Sequence, residues 1–443
     1  ALLTDLYQLT MANAYLEEDM RETAVFELFV RRLPPARRFL IAAGLEQALE
    51  FIGGLRFTAA ELEFLAGQCS FPRHFLDYLA AFRFTGTVHA LPEGTPFFAD
   101  EPILRVTAPI IEAQLLESRL VNIVHFQTLI ASKAVRCVIA ARGRRLIDFG
   151  MRRAHEADAG LLAARAAYLA GFDATATVEA GRRWGIPISG TVAHSYIEAH
   201  DDEEQAFRRF TSSRPGRTTL LIDTYDTLRA AEKVARIDRE LRSQGSTHGV
   251  DSVRIDSGDL ATQSRDVRRI LDEQGCPDIR IALSGGLDEH QIAALVRAGV
   301  PVDAFGVGTS LDVSADAPAL DAAYKLQMYA GRPRRKHSPG KVTWPGAKQV
   351  FREYGMDGVA MRDRIVLEGE DSAGVPLLSE VMRDGRTLAA PRRLEVIRTD
   401  CRTQVRGLPP HLLELGDTHP DEASPAYSVV RSAALERLAA SAG

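Results

Sequence analysis

The chain alternates between two hydrophobic textures, and the change between them falls near residue 110. Before it, residues 25–30 (VFELFV) alternate apolar and polar like a strand and stop at RRLPP, while 39–53 (FLIAAGLEQALEFIG) read as an amphipathic helix ended by Gly53 and Gly54. Residues 86–108 hold short strand-like runs broken by Pro and Gly. Residues 111–141 then form a long apolar-periodic helical region, after which a rhythm begins. Short apolar runs at 145–149, 186–190, 218–223, 250–255, 279–284 and 302–307 are each followed by polar or Gly-rich residues and a helical segment. The intervals approach the ~30 residues of a βα unit, which predicts a parallel sheet. So many units in succession favour a βα barrel over an open sheet. After about residue 350 the pattern becomes irregular and strand-like (VAMRDRIVL, RRLEVIRTD), and a final helix is predicted over 426–441. The expected fold is α/β: an irregular βα barrel of parallel strands with flanking, discontinuous β-rich segments. The expected parts are an N-terminal α+β domain over 1–110, completed by C-terminal segments, a barrel over 111–350, and a β-rich segment with the last helix over 351–443.

Composition narrows the class. The 443 residues are 46% hydrophobic and 26% charged with a net charge of -5, a balance that points to neither disorder nor a polyanionic partner. Cys69, Cys137, Cys276 and Cys401 are far apart and form no CxxC pair, so neither a zinc site nor a disulfide framework is expected, and a reducing cytoplasm fits. No run approaches 18 apolar residues and no basic stretch precedes an apolar one at the start, so neither a membrane span nor a secretory signal is expected. One skew remains. Of 54 basic residues only six are lysines, and four of these, Lys325, Lys336, Lys341 and Lys348, fall in one short stretch.

The chemistry gathers where the strands end. The six runs close in DFGMRR (148–153), GTVAHS (190–195), DTYD (223–226), DSGD (256–259), SGG (284–286) and GVGT (306–309). In parallel α/β folds that edge carries the active site. Ser284–Gly285 and Gly306, Gly308 and Thr309 lie in glycine loops entering helices, where backbone N–H groups can cradle a phosphate. Asp223, Asp226, Asp256 and Asp259 are hard oxygen donors suited to Mg²⁺ or ribose hydroxyls, although one of the pair Asp226 and Asp259 is expected only to cap a helix. Arg152, Arg153 and Arg254 can neutralise phosphate or clamp a carboxylate. His194 stands among these groups as a proton shuttle or phosphoryl acceptor. His125, His155 and His200 lack that placement and are read as structural.

These residues resemble the nicotinate phosphoribosyltransferase family. The likeness is carried by TDLYQLTMANAY (4–15), FVRRLP (29–34), DFGMRRAHEADAG (148–160), GTVAHSY (190–196), LLIDTYDTL (220–228), VRIDSGDLA (253–261), DAFGVGTSL (303–311) and the stretch 324–352. The resemblance implies an irregular barrel in a homodimer with shared sites. It also implies transfer of phosphoribosyl from 5-phosphoribosyl 1-pyrophosphate to nicotinate, with Mg²⁺ present and ATP as co-substrate. By motif position, His194 would be the histidine that ATP phosphorylates, with Thr191 and Ser195 beside it. Tyr7, from the partner subunit, and Phe149 would stack on the pyridine ring. Arg254 would face the nicotinate, Arg152 the phosphoribosyl group, and Asp256 the ribose hydroxyls or the metal, directly or through water. Asp223 would lie near pyrophosphate, and Ser284, Gly285, Gly306, Gly308 and Thr309 would hold the 5′-phosphate.

Two stretches depart from the family pattern: residues 155–159 read His-Glu-Ala-Asp-Ala where Gln-Gly-Pro-Asp-Gly is usual, and Gly286 stands where an acid or amide is common. The competing readings are a nicotinamide-specific sister enzyme, a quinolinate phosphoribosyltransferase, ranked lower because that family has a shorter chain with more basic residues for two carboxylates, and a non-catalytic homologue of the same pathway. Val192, not an acid, follows Thr191, which disfavours the amide substrate. The retention of His194, Asp256 and GVGT disfavours an inactive homologue. The lysine cluster is read as phosphate-gripping at Lys336 and Lys341 near a turn over 338–340, and as structural at Lys325 and Lys348.

Overall fold

The computed structural model describes residues 1–213, 215–338, 341–415 and 426–442. The predicted rhythm is a six-stranded parallel sheet. Strands Arg145–Asp148, Ala174–Thr175, Arg217–Leu221, Gly249–Ile255, Arg280–Leu283 and Ala304–Val307 pair in chain order, and the last strand returns to the first. The closing register sets Ala304 opposite Arg145 and Val307 opposite Asp148. That return makes the sheet a barrel, and it is an incomplete one. The 186–190 run contributes a single bridge, Ile188 to Thr175, and among the described residues no ladder joins it to Arg217–Leu221. Pro187 removes a donor there, which explains why an apolar run at strand spacing forms no full strand.

Strand interiors are Val, Ile and Leu, buried by helices on the outside: Val253, Ile255, Ile281, Leu283, Phe305 and Val307 are fully buried. The inward wall is different. Ser252, Ala282, Ser284, Ala304 and Gly306 are small, so the axis keeps a cavity of about 280 Å³ where barrels usually pack bulky side chains. Helices start where the strand tails supply caps. Asp226 accepts from the N–H groups of Leu228 and Arg229 ahead of Thr227–Ser243, and Asp259 does the same for Ala261 and Thr262 ahead of Leu260–Glu273. Both acids therefore cap, the role weighed for two of the four carboxylates and placed at Asp226 or Asp259.

The chain divides into two compact units, Lys133–Asp316, which holds the barrel, and Ala1–Ser132 with Ala317–Gly443. The second unit is built on a seven-stranded antiparallel sheet in which Thr23–Val30 lies between Ala322–Tyr329 and Pro102–Pro109. Paired on both sides, Thr23–Val30 is buried from Ala24 onward, including Glu27. Lys348 neutralises that carboxylate at 2.7 Å, and its ammonium also donates to the carbonyls of Trp344 and Gly346. Lys325 pairs with Glu117 at 3.1 Å. Lys348 is thereby held in the core and Lys325 by an ion pair.

Several sequence expectations shift locally. The 111–141 region is two helices, Ile110–Leu115 and Glu117–Ala141; the second is apolar and long enough to cross a membrane, but 78% of that apolar stretch is buried inside the protein. RRLEVIRTD, read as strand-like, lies in the helix Leu394–Arg406, whose buried Leu394, Ile397, Cys401 and Val405 follow the helical period. Within the predicted final helix, Ser428–Arg431 is a strand and Ala433–Ser441 the helix, capped by Ser432.

Candidate active site

Arg254 is the fixed point of the barrel mouth. It faces inward from Gly249–Ile255, and three of its nitrogens are held. Nε donates to Ser284 Oγ at 2.7 Å, Nη1 to Thr191 Oγ1 at 3.3 Å and Nη2 to Asp256 Oδ1 at 2.6 Å. Ser284 Oγ in turn donates to Asp256 Oδ1. A guanidinium spends its planar fork well on such a frame, because little entropy is left to lose. The Thr191 bond is the longest of the three and the easiest to exchange for a ligand oxygen. Arg254 Cζ also lies 5.2 Å from the ring centroid of Phe149, within cation–π range.

Phe149 reaches this place because residue 306 is glycine. A Cβ at Gly306 would lie 2.4 Å from two carbons of the Phe149 ring, so any side chain there would displace the aromatic. Gly308 approaches the Phe149 carbonyl in the same way, more loosely. Gly285 is constrained twice over: its φ is +93°, and a Cβ would fall 1.8 Å from the Asp256 carbonyl oxygen. The SGG loop is thereby pressed onto the strand end that carries Asp256. Thr309 opens the short helix Thr309–Asp312 and accepts from Arg153 Nη1 at 3.2 Å. Arg152, in the same turn as Arg153, is exposed.

Asp223 organises the next strand end. Its Oδ2 accepts from the Asp256 backbone N–H at 2.9 Å and from Ser257 Oγ at 2.6 Å, whereas the buried Oδ1 has no partner. His194 begins the helix His194–Glu198, with Nδ1 3.0 Å from Thr224 Oγ1, and Ser195 beside it is exposed. Among the described residues no group of three or more His, Cys, Asp or Glu side chains could cage a metal ion. The donor set of Asp223, with its orphaned oxygen, and the half-exposed Asp256 suits Mg²⁺, which commonly takes one or two carboxylates and completes its shell with substrate phosphates and water.

Tyr7, Lys336 and Lys341 belong to the other unit, where they line one cleft of about 590 Å³ with Arg31, Glu117 and Lys325. Tyr7 is 49% exposed, and burial of its remainder, together with the charges of Glu117 and Asp5, pushes its phenol up from the ordinary range. Lys341 N–H bonds the Ser338 carbonyl at 3.0 Å; Pro339 and Gly340 of the expected turn lie outside the described residues. Of the histidines read as structural, His125 accepts from the Leu320 N–H and His200 lies 2.8 Å from the Tyr196 carbonyl.

Sequence reasoning passed over three contributors. Thr224 sits in the quoted DTYD tail as the residue that orients His194. Asp148 and Asp312 are buried beneath the mouth, and each alone looks like an ordinary turn or helix acid.

Residues 2–125 match the nicotinate phosphoribosyltransferase (NAPRTase) N-terminal domain, and residues 144–330 match the nicotinate phosphoribosyltransferase (NAPRTase) family. The chain is 49% identical to nicotinate phosphoribosyltransferase pncB2 of Mycobacterium tuberculosis, over 94% of this chain and 89% of that protein. It is 42% identical to the Bacillus subtilis nicotinate phosphoribosyltransferase over 80% of this chain and 73% of the relative. The crystal structure of human nicotinic acid phosphoribosyltransferase superposes with a TM-score of 0.87 at 29% identity, covering 99% of this chain and 100% of that one. A nicotinate-nucleotide pyrophosphorylase from Pyrococcus furiosus shares the fold, with a TM-score of 0.73 at 24% identity over 91% of this chain and 94% of that one. The chain belongs to the nicotinate phosphoribosyltransferase family and is an enzyme of that activity, in the salvage branch of NAD biosynthesis.

Proposed function

We propose that the chain joins nicotinate to 5-phosphoribosyl 1-pyrophosphate at the carboxyl-end mouth of the barrel, releasing nicotinate mononucleotide and pyrophosphate. The observation that carries this reading is Arg254, a cation pinned by three partners beside the Phe149 ring at the head of a cavity. That pairing suits a flat aromatic ring bearing one carboxylate: Phe149 takes the ring and Arg254 the charge. With the ring so held, its nitrogen attacks C1′ of the ribose as the C1′–pyrophosphate bond breaks. Asp256 orients the ribose hydroxyls, Arg152 meets the phosphoribosyl group, and Gly285, Gly308 and Thr309 receive the 5′-phosphate. Ser284 and Gly306 serve the same site from behind, by holding Arg254 and admitting Phe149.

Mg²⁺, held by Asp256 directly or through water with Asp223 beside it, would neutralise the charge of the departing pyrophosphate. His194 is the phosphoryl acceptor from ATP. When Nδ1–H donates to Thr224 Oγ1, the lone pair lies on Nε2 and attacks the γ-phosphorus, forming an N–P bond as the bond to ADP breaks. Hydrolysis of that phosphohistidine couples ATP to product formation. Thr191 and Ser195 flank this step. Lys336 and Lys341 contact pyrophosphate or ATP phosphates from their cleft. The enzyme works as a homodimer, with Tyr7 supplied to the ring by the second copy. Leu3, Leu6 and Tyr7 are 70%, 57% and 49% exposed, an apolar run that favours such a contact. The compartment is the cytoplasm, in keeping with four unpaired cysteines.

The test is formation of nicotinate mononucleotide from nicotinate and phosphoribosyl pyrophosphate, with and without ATP. Product should form in both and rise with ATP. Absence of product under both conditions refutes the reading.

A further inference from the structure

Two pieces of chain carry the mouth on the side of Phe149: the loop 149–153 and the short helix Thr309–Asp312. Two carboxyl groups lie against Gly150 of that loop, one accepting from its N–H and the other packed where its Cβ would be. Asp148 ends the first barrel strand, Asp312 ends the helix, and each is only 1% exposed. Asp148 is well supplied with donors: Oδ1 accepts from the Gly150 N–H at 2.8 Å and Oδ2 from Thr175 Oγ1 at 2.6 Å. Asp312 receives no donor at either oxygen. It is also packed hard against the loop, since a Cβ on Gly150 would lie 2.2 to 2.6 Å from three atoms of its carboxyl group.

Two buried carboxylates cannot both be charged at such a place. As an ion Asp312 would be an unsatisfied buried anion; as an acid it has a proton to give and Asp148 to receive it. Burial and then the Asp148 charge push Asp312 up to about 9. Among the described residues no cation counters these two causes. Arg153 of the loop engages Thr309, Arg152 is exposed, and on the adjacent helix Ala157–Ala170 the buried Arg165 lies over the Trp184 ring while Asp158 is exposed.

We propose that Asp312 is a positioning residue: as a neutral acid it donates to Asp148, locks the 149–153 loop onto the Thr309–Asp312 helix, and so fixes Phe149 for the pyridine ring. The link to the ring rests on the function proposed above; the protonation state does not. Its loss would loosen Phe149 without removing any group that touches substrate, so it acts on KM for nicotinate more than on kcat.

The test has two arms. Infrared difference spectra of the full-length wild type against Asp312→Asn at neutral pH should show a protonated-carboxyl band in the wild type alone, fading as pH passes about 9. In kinetics, Asp312→Ala should raise KM for nicotinate by about tenfold with a smaller change in kcat. Asp312→Asn keeps a donor toward Asp148, so it should hold KM near the wild-type value and remove the rise in KM that the wild type shows above pH 9. No wild-type band, or an alkaline rise in Asp312→Asn equal to that of the wild type, overturns the proposal. A wild type inactive on nicotinate would refute the proposed function instead and leave the infrared arm to decide Asp312. Should Asp312→Asn fail to fold, Asp312→Glu supplies the difference spectrum instead, since it shifts the Asp312 band and leaves that of the buried Glu101 in place.

Discussion

Gly285→Ala is the sharpest perturbation of the mouth, and its neighbour supplies the control. Gly285 and Gly286 both hold positive φ, +93° and +66°. An alanine at either position bears the left-handed backbone penalty, about 1–2 kcal/mol. Only at 285 does the new Cβ meet anything: it would lie 1.8 Å from the Asp256 carbonyl oxygen, whereas nothing stands within 4 Å of a Cβ at 286. Contacts under 3.0 Å are not tolerated, so the two backbones must separate by about 1.2 Å, the difference of 3.0 and 1.8. Asp256 cannot move that far and keep both the 2.6 Å bond to Arg254 and the 2.9 Å bond to Asp223. Displacements near 1 Å at a reacting centre cost on the order of 10²-fold. The expectation is that both variants lower the melting temperature, Gly285→Ala more than Gly286→Ala, because it adds the clash with the Asp256 carbonyl to the shared backbone penalty. Gly285→Ala alone should lose about 10²-fold in kcat/KM for nicotinate, roughly 2.7 kcal/mol of transition-state stabilisation. Steady-state kinetics and a thermal melt on both variants read this out. Equal kinetic losses in the two variants, or Gly285→Ala near wild-type kcat/KM, would refute the argument that the SGG loop positions Asp256.

Three further outcomes follow from the same geometry. Arg254→Lys keeps a charge but cannot hold Ser284, Thr191 and Asp256 together, so kcat/KM for nicotinate should fall by about 10- to 100-fold, as charge-assisted bonds contribute roughly 1.5–3 kcal/mol; unchanged kinetics would remove Arg254 from the site. His194→Ala should take up no label from γ-labelled ATP and make synthesis indifferent to ATP, and undiminished labelling would place the phosphohistidine elsewhere. The third outcome concerns stability against pH. Burial and then the Asp148 charge push the Asp312 carboxyl up to about 9 from an ordinary 3.8, so between those values the native state holds one more proton than the unfolded chain. Stability from this group is fully present below pH 3.8, declines as pH rises at up to about 1.4 kcal/mol per unit, and is gone above 9. Denaturant melts at pH 6 and pH 8 should therefore show the wild type losing roughly 2–3 kcal/mol relative to Asp312→Asn; parallel losses in both would contradict a neutral Asp312.

The barrel was legible because its strands are buried on the helix-packed side, and runs such as 250–255 and 279–284 show that directly as Val and Ile between turn residues. Where hydrophobicity and hydrogen bonding part company, reading fails. The 186–190 run looks like a strand but carries Pro187, and Ala174–Thr175, which does pair, is too short to have a period. RRLEVIRTD shows that a segment half-buried at helical spacing can pass for alternation over a few residues. Within the site, residues in the strand tails could be found because the parallel fold brings all those tails to one end. Ser284 and Thr191 appeared as small residues near phosphate candidates, but their grip on Arg254 needs coordinates. The pairing of Asp148 with Asp312 was invisible, since each follows an apolar stretch as turn and helix acids commonly do. Nor did sequence spacing tell that Tyr7 would share a cleft with Lys336 and Lys341.

The central claim is that the Arg254–Phe149 pair selects a pyridine ring with a carboxylate. The ratio of kcat/KM for nicotinate to that for nicotinamide, measured with phosphoribosyl pyrophosphate in the wild type and in Arg254→Leu, tests it most directly. A wild-type preference for nicotinate of about 10²-fold or more, collapsing in the variant, is the predicted result. Equal or better turnover of nicotinamide by the wild type, or a preference that survives the loss of Arg254, would contradict it.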